Sequence, residues 1–565
     1  MTERMRVGLL LAISLLVYAN TLTNGFALDD SMYILNNPRV THFTVKGLFD
    51  AGQSNGSPRY FRPLTFATFA GNWAVGDAHA FGYHLINLLL HAGVTLLLYL
   101  LLRKILESFA SGTIIAWTTA LLFAVHPIHT EAVASIVGRS ELLAAGLLLA
   151  AWLFHLDDHP VPALLCFALA LLSKESAIAF VPLVFVGDYV RGQFKPVSRY
   201  ASIIGVAALY VGVLWRVQGG QLGVARVSFL DNPLAKVPAN IRILNALRIA
   251  GKYVALQIYP ATLSSDYSYN AIRLYASWRP ALLALAATML ILALWIGTLW
   301  MKRKEWFLAG AIYLAGFAVT ANLLLPTGTI MGERLAYLPS AGFCLAVALL
   351  WARLERTQQK LAWAVLAAVV IALGVRTMVR NRDWRDNFAL FSADVRAVPG
   401  SAKMHFGLGE EYLNRGELQE ARAQMQTGFS IFPDDPDAVE TSGLIEGRLG
   451  NDQEARRLLQ QALAMARQTH PHRDFMVTNL TAELIKIGEK DEALQLLDHE
   501  IAKSPINSSL RSNRAVVHYL RGETDAARAD AQTALQMDPA NQQAAGLLNQ
   551  LSTPGLAIPQ TAPAK

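Results

Sequence analysis

Two adjacent aspartates directly follow the first apolar stretch of the chain and are the strongest candidates for chemistry. Asp29 and Asp30 end the segment NGFALDD at residues 24–30. An aspartate at such a position can take the proton of an acceptor hydroxyl or help to hold a divalent cation, whereas in a solvated turn it would do neither. Because the pair lies where a lipid headgroup would meet an external substrate, its position favours a general base.

Charged residues recur at the edges of other apolar stretches. Arg62 lies in YFRPL, residues 60–64, a setting that suits a phosphate or a ring and is also typical of an interfacial anchor. The others are Arg139 in GRSE, Lys174 beside Glu175, and Arg334 beside Glu333 in GERLAY. Such ion pairs are often structural. Several of them in a region otherwise short of charge predict a shared polar cavity.

Histidines also accompany the apolar stretches, at His84, His91, His126 and His129. His84 and His91 share a helix face with Asn87, so they either form hydrogen bonds between helices or line a cavity. In HPIHTE, the two later histidines precede Glu131 at a spacing that suggests a metal site. The segment lacks a helical His-Glu-x-x-His arrangement and a thiolate, so a metal is not favoured.

The composition indicates a membrane protein. Of 565 residues 53% are apolar and only 16% are charged, whereas about 25% are charged in an ordinary soluble domain. The net charge of +7 is uneven, because residues 1–380 hold 30 basic and 17 acidic side chains and the remainder holds 19 and 25. A basic excess within an apolar region indicates membrane topology rather than nucleic-acid binding. Cys166 and Cys344 lie in apolar stretches, which excludes a disulfide framework.

The apolar stretches predict about eleven membrane-spanning helices. They lie near residues 6–22, 82–102, 113–126, 138–155, 162–173, 176–190, 200–216, 280–301, 306–325, 335–352 and 361–379. The first has no clear cleavage site after it, so we expect a retained anchor rather than a signal peptide. Most basic loop residues then fall on the side of the N-terminus, which predicts a cytoplasmic N-terminus.

This topology places the long loops 23–81 and 217–279, and the C-terminal region, on the outer side. Within the second loop, residues 241–259 carry Arg242, Arg248 and Lys252 at helical spacing. That spacing favours an interfacial amphipathic helix over a twelfth span.

The C-terminal region is a repeat array. Its prolines recur at steps of 34, 38, 34 and 34 residues, at positions 399, 433, 471, 505 and 539. Glycines 416, 450, 488 and 522 keep the same steps, and an alanine follows each of them by five residues. This pattern is the signature of tetratricopeptide repeats (TPRs). We therefore predict an all-α protein: a polytopic bundle at 1–380, about four TPRs in a soluble solenoid at 381–550, and a flexible tail at 551–565.

Taken in order, these motifs bring the chain close to a known family. They are GFALDD (25–30), YFRPL (60–64), HLINLLLH (84–91), LFAVHPIHTEAV (122–133), GRSELL (138–143), LSSDYSY (263–269), GERLAYLPS (332–340) and the repeats. The sequence resembles the transmembrane and tetratricopeptide-repeat O-mannosyltransferases of animals and their bacterial relatives, which are GT-C glycosyltransferases. The array is shorter than in many animal relatives, which leaves the acceptor open.

The resemblance implies an inverting transfer of one sugar from a polyprenyl-phosphate donor to a hydroxyl group. Asp29 or Asp30, with Asp29 preferred, would act as the base, and Glu131 would orient the acceptor or a cation. The donor phosphate would meet Arg139 and Arg334, with Lys174 and Arg62 behind them. We expect the remaining polar residues of the motifs, His84, His91, His126, His129 and Glu333, to line the same cavity.

The expected partners are a polyprenyl-phosphate-linked sugar, membrane lipid, and an acceptor polypeptide bound through the TPR groove, with no nucleic acid. No cofactor is firmly implied, and the role of a divalent cation is left open. The expected location is a bacterial inner membrane with the TPR region outside. Two alternatives remain at this stage: a membrane-anchored TPR docking protein, and a transporter of a lipid-linked saccharide.

Overall fold

A computed structural model of the chain describes residues 1–49, 61–220, 227–279, 282–323 and 325–552. Tyr60, the tail from residue 553, and parts of the predicted spans 280–301 and 306–325 lie outside the described residues.

All regular elements of the described residues are helical, which confirms the all-α prediction. The chain divides into two compact units between Met404 and His405. The sequence-based boundary after residue 380 stays a prediction, but the first unit continues through a further helix, Asn387–Ala397.

In the first unit the α-helices are α1 (Glu3–Tyr18), α2 (Pro38–Thr41), α3 (Val45–Phe49), α4 (Pro63–Gly76), α5 (Ala80–Ile105), α6 (Gly112–Val125), α7 (Thr130–Ala134), α8 (Arg139–Leu156), α9 (Pro160–Ser173), α10 (Phe180–Arg191), α11 (Val197–Val217), α12 (Ala239–Ile258), α13 (Leu282–Trp300), α14 (Lys304–Phe317), α15 (Pro339–Thr357), α16 (Gln359–Asp383) and α17 (Asn387–Ala397). Short 3-10 or π turns lie at Ala19–Thr23, Ser31–Leu35, Pro127–His129, Glu175–Ala179, Pro233–Lys236 and Glu333–Ala336.

Each of the eleven apolar stretches overlaps one of these helices. Among the described residues, five helices are long and apolar enough to cross a membrane: Glu3–Thr23, which extends α1, and α5, α8, α11 and α16. The bent pair of α6 and Pro127–Ala134 raises the number to six if it counts as one span. A straight crossing needs about 20 residues, and several of the other helices are shorter. The count of eleven crossings therefore stays a prediction.

A proline shapes the part of the bundle that carries two of the candidate residues. Pro127 lacks an N–H and cannot continue α6, and the helix axis bends by 55° at this point. The chain continues through a 3-10 turn and then α7, which place His129 and Glu131 among packed neighbours, both buried.

Two of the apolar cores in the first unit are larger than the others. The larger one is formed mainly by α5, α6, α8, α9 and α15, which pack closely on one another. The smaller one joins α12 to the loops around it through Tyr253, Tyr267, Ile330 and Met331. Helix α12 is therefore packed against the residues that precede Arg334, in addition to carrying the predicted amphipathic pattern.

The second unit is a series of antiparallel helix pairs. Helix α18 (Ala402–Arg415) enters it, and it continues with α19 (Leu418–Ile431), α20 (Pro436–Arg448), α21 (Asp452–Met465), α22 (Arg473–Lys486), α23 (Lys490–Lys503), α24 (Ser508–Leu520), α25 (Thr524–Met537) and α26 (Gln542–Ser552).

The repeat residues of this unit take the positions that the TPR prediction requires. The four spaced glycines lie in the turn inside each pair, with φ between 77° and 90°, a region that only glycine adopts freely. The alanines five residues later are fully buried where the paired helices cross. A larger side chain at those positions would separate the helices, so the spacing seen in the sequence has a direct structural cause.

Candidate active site

The loop after α1 holds Asp29 on a strained turn. Leu28 adopts the left-handed region with φ of 55°, which a residue with a branched side chain seldom does. Its N–H donates to Oδ1 of Asn387 over 2.7 Å, and the N–H of Gly25 donates to the carbonyl of Arg385 over 2.9 Å. The segment after α16 therefore fixes the turn that presents Asp29, since such strain persists only where the surroundings enforce it.

Asp30 is turned into the protein and is 1% exposed. Its Oδ2 accepts the N–H of Ala27 at 3.0 Å, and its Oδ1 accepts the N–H of Val137 at 3.0 Å. Burial raises the pKa of Asp30 to about 7, although the two N–H donors lower it. Asp30 thus ties the loop to the turn before α8 and is not placed to meet a substrate.

Asp29, by contrast, is partly open and lies beside a cation. Its carboxylate is 35% exposed, and Oδ2 lies 3.7 Å from Nη1 of Arg334. The same Nη1 lies 3.0 Å from Oε1 of Glu131, while Oε2 of Glu131 accepts the backbone N–H of Arg334 over 2.8 Å. Glu131 therefore fixes Arg334 at two points, and Arg334 is directed toward Asp29.

Lys174 and Arg62 belong to ion pairs within electrostatic reach of Arg334. Lys174 is paired with Glu141, both almost fully buried, and Arg62 makes a bidentate pair with Glu175 at 2.7 and 3.1 Å. Burial lowers the pKa of Lys174, and the charges of Arg62 and Arg334 lower it further. Lys174 therefore lies within electrostatic reach of two other predicted cations, Arg62 and Arg334.

Arg139 has a different environment from the other three cations. It is fully buried, and its guanidinium donates to Oδ1 of Asn87 at 2.9 Å, Oδ1 of Asn72 at 2.6 Å, and the carbonyl oxygens of Thr68 at 3.2 Å and Tyr83 at 2.9 Å. With four of its five N–H groups directed at protein oxygens, Arg139 joins α4, α5 and α8. This geometry argues against the predicted contact with a donor phosphate and supports a positioning role.

The four histidines are buried and pair with neighbouring helices or loops. Their ring nitrogens lie at hydrogen-bond distance from the carbonyl of Gly25 (His84, 3.1 Å), the hydroxyl of Tyr337 (His91, 2.8 Å), the carbonyl of Gln257 (His126, 3.0 Å) and Oγ of Ser340 (His129, 2.6 Å). The structure thus favours the inter-helix hydrogen bonds, one of the two readings the sequence left open. Across the described ranges, no group of three or more His, Cys, Asp or Glu side chains is arranged to hold a metal ion.

Glu333 holds part of the loop at residues 217–279 against the site. Its Oε1 accepts the N–H of Ser264 and the hydroxyl of Tyr267, each at 2.7 Å. Burial raises the pKa of Glu333 to about 8, partly offset by the charge of Arg380. The carboxyl is therefore mostly protonated at neutral pH, and it acts on the site through the loop rather than as a base.

Sequence reasoning missed the segment that follows α16. The sequence places residues from 381 onward in the repeat region, yet Trp384 is buried with Leu390 against Ala27 and Leu28. A tryptophan and the nearby asparagines are unusual in a connecting segment, and this composition was the available signal in the sequence. Their role becomes visible only through their contacts with the loop that carries Asp29.

Comparisons with known proteins agree with both units. Tetratricopeptide-repeat family models match residues 443–474 and 483–542. Over 438 residues, the chain is 29% identical to protein O-mannosyl-transferase F38B6.6 of Caenorhabditis elegans, covering 75% of this chain and 62% of that protein. It is also 29% identical over 558 residues to protein O-mannosyl-transferase TMTC3 of Mus musculus, covering 88% and 60%.

The chain is a homologue of animal protein O-mannosyl-transferases. A third relative, Tmtc3 of Drosophila melanogaster, is 27% identical and is covered over 58% of its length, with 80% of this chain aligned. The chain therefore spans about three fifths of the length of these relatives. The family resemblance predicted from the motifs is confirmed, and the alignment extends over most of the chain rather than over the repeats alone.

Proposed function

We propose that the chain is an integral-membrane glycosyltransferase that moves a single sugar from a polyprenyl-phosphate donor to a Ser or Thr hydroxyl of an exported protein. The observation that carries this proposal is the pairing of a partly exposed Asp29 with Arg334, which Glu131 holds in place. An acid beside a fixed cation, at the end of a membrane helix, suits a reaction that removes a proton and releases a phosphate.

In the proposed reaction, Asp29 takes the proton of the acceptor hydroxyl as the hydroxyl oxygen attacks the anomeric carbon. The bond between that carbon and the phosphate oxygen breaks, and the polyprenyl phosphate leaves with the electron pair. One displacement inverts the anomeric configuration, and no covalent enzyme intermediate forms. Arg334 stabilises the charge that develops on the phosphate, because a fixed cation close by lowers the barrier.

The remaining charged residues act around this centre in the proposal. Lys174 and Arg62 add positive potential from their ion pairs. Asp30, Arg139 and Glu333 position the loops. The TPR unit is proposed to bind the acceptor polypeptide, and the external loops are proposed to face away from the cytoplasm.

Purified protein in detergent tests the function directly. With polyprenyl-phosphate mannose and a Ser/Thr-rich peptide, we expect release of polyprenyl phosphate and a matching mass increase of the peptide. The Asp29→Asn variant serves as the inactive control. A transporter would release no polyprenyl phosphate under these conditions, and a docking protein would leave both substrates unchanged; either result would refute the transferase.

A further inference from the structure

Helix α12 carries two cations without a carboxylate partner. Among the described residues, no acidic oxygen lies within 4.0 Å of Arg248 or Lys252. Arg248 donates to the backbone carbonyl of Arg273, and each of the two cations stacks on a tyrosine ring. The Arg248 guanidinium lies 4.0 Å from the ring centre of Tyr275, and Nζ of Lys252 lies 4.8 Å from that of Tyr267. A half-buried cation without a counter-ion is poorly stabilised, so the pair is suited to receive an anion.

The two cations lie close enough to serve one ligand. Residues four apart on a helix have side chains about 6 Å apart at their bases. The charge of Arg248 lowers the pKa of Lys252, in addition to the larger effect of burial. Burial and the charge of Arg248 thus both disfavour the charged form of Lys252, and a bound anion would offset both effects.

The helix is joined to the candidate active site through its neighbouring residues. The hydroxyl of Tyr253 donates to the carbonyl of Gly332 at 2.9 Å and accepts the N–H of Gly332 at 3.0 Å. Tyr267, under Lys252, donates its hydroxyl to Glu333. Gly332 and Glu333 immediately precede Arg334, the cation beside Asp29. The paired cations thus border the segment that supplies the proposed phosphate-stabilising arginine.

We propose that Lys252 and Arg248 form a binding site for the phosphate of a polyprenyl-phosphate lipid, next to Arg334. The proposal rests on the function proposed above and concerns residues whose spacing in the sequence predicts only an interfacial amphipathic helix. A phosphate has enough oxygens to accept from both side chains, and charge-assisted bonds of this type are the strong ones. The site would also provide the phosphate contact that the sequence predicts for Arg139, whose guanidinium donates to protein oxygens instead.

Binding of farnesyl phosphate to the full-length protein in detergent, with no sugar and no acceptor, tests this site. We expect Lys252→Met to weaken binding about 10-fold or more, since a hydrogen bond to a charged group is lost. Lys252→Arg keeps the charge and should bind within about 3-fold of the wild type. Lys236→Met, which removes an exposed lysine of the same loop, is the matched control and should leave binding unchanged.

Thermal unfolding of each variant shows whether it is folded. Arg248→Met provides a second test of the site, and it should disturb the fold little because Met keeps an aliphatic side chain on the ring of Tyr275. Wild-type affinity in both Met variants would overturn the proposal. Binding to nanodiscs gives the second arm. If Lys252→Met lost affinity for phosphatidylglycerol nanodiscs while keeping that for farnesyl phosphate, the pair would be a phospholipid headgroup site and the assignment would be overturned.

The two proposals fail in different ways. Lys252-dependent binding of farnesyl phosphate by a protein that transfers no sugar would refute the transferase and support the phosphate site. Sugar transfer with an unchanged donor KM in both Met variants would refute the phosphate site alone.

Discussion

At the scale of single residues, Asp29 and Asp30 have the same chemistry and opposite surroundings. Both carboxylate oxygens of Asp30 accept hydrogen bonds from backbone N–H groups, whereas Asp29 is partly exposed next to Arg334. Directly after the strained turn at Leu28, one of these two side chains is directed into the protein and the other lies beside Arg334.

Exchanging each aspartate for asparagine separates the two roles. We expect Asp29→Asn to reduce transfer at least 100-fold with little change in thermal stability, because a general base is lost from an exposed position. Asp30→Asn should lower the melting temperature, because the NH2 group of the new side chain would face a backbone N–H donor. The lost hydrogen bond should cost about 1–3 kcal/mol of the free energy of unfolding. Transfer rates and melting curves measured on the same preparations check this. Full activity of Asp29→Asn would contradict the assignment.

The buried carboxyl of Glu333 predicts a pH dependence of stability. Its pKa of about 8 in the folded chain is above the 4.5 of a free glutamate, so its contribution is fully present below pH 4.5 and is lost as the pH rises through 8. Glu333→Gln keeps a neutral group there. We expect the melting temperature of the variant to exceed that of the wild type by about 2 °C or more at pH 9. An equal change of the melting temperature with pH in both proteins between pH 6 and 9 would contradict this prediction. Glu420→Gln, which replaces an exposed glutamate, is the control.

At the scale of elements, Arg139 holds three helices together through uncharged acceptors. The acceptors are Thr68 and Asn72 on α4 and Tyr83 and Asn87 on α5, while Arg139 begins α8. A buried group of this kind stabilises the fold only while all its bonds are made.

We expect Arg139→Met to lower the melting temperature strongly, because several buried acceptors lose their donors at about 1–3 kcal/mol each. The remaining folded protein should show a donor KM close to that of the wild type. A donor KM raised 10-fold in a variant of normal stability would instead restore Arg139 as a phosphate ligand. Arg396→Met, on α17, is a control for the loss of an arginine.

The turn that presents Asp29 depends on the beginning of α17. Asn387 supplies the oxygen that accepts the N–H of Leu28. Asn387→Leu should lower kcat about 10-fold with an unchanged donor KM, because the turn loses a hydrogen bond worth about 1 kcal/mol and Asp29 loses its position. Asn387→Asp retains the acceptor oxygen and should recover most of the rate. No recovery in Asn387→Asp would argue against a role for this bond.

At the scale of the whole molecule, the unit that holds the candidate site extends past the last predicted span. Trp384, Asn387 and Leu390 all contact the Asp29 loop, so a cut just after α16 removes part of the site. The first unit ends at Met404, within the first turn of α18.

Two truncations test the proposed role of the TPR unit. A chain ending at Arg415 keeps the first unit and α18, and should transfer sugar to a short peptide at a rate close to that of the full chain. It should lose modification of a full-length acceptor, because a tethered second site raises the local acceptor concentration. A chain ending at Arg382 should lose both activities. Wild-type modification of the full-length acceptor by the Arg415 chain would exclude the TPR unit as an acceptor platform.

The sequence by itself determined the helical fold, the repeat array and the position along the chain of the loop that carries Asp29 and Asp30. Apolar stretches, a 34-residue period and Pro127 act locally, since they report on which segments must be buried and where a helix must end. The family resemblance followed from the order of short motifs, each of which stands beside one of these elements.

Only the tertiary structure decided which charged residues meet. Arg139 and Arg334 look alike in the sequence, but one is enclosed by α4 and α5 and the other is directed at Asp29. The role of the segment around Asn387 was equally hidden, because its contact lies 359 positions away from Leu28. Such contacts depend on how the helices pack, and the spacing of residues along one helix carries no information about the side chains that a distant segment brings to it.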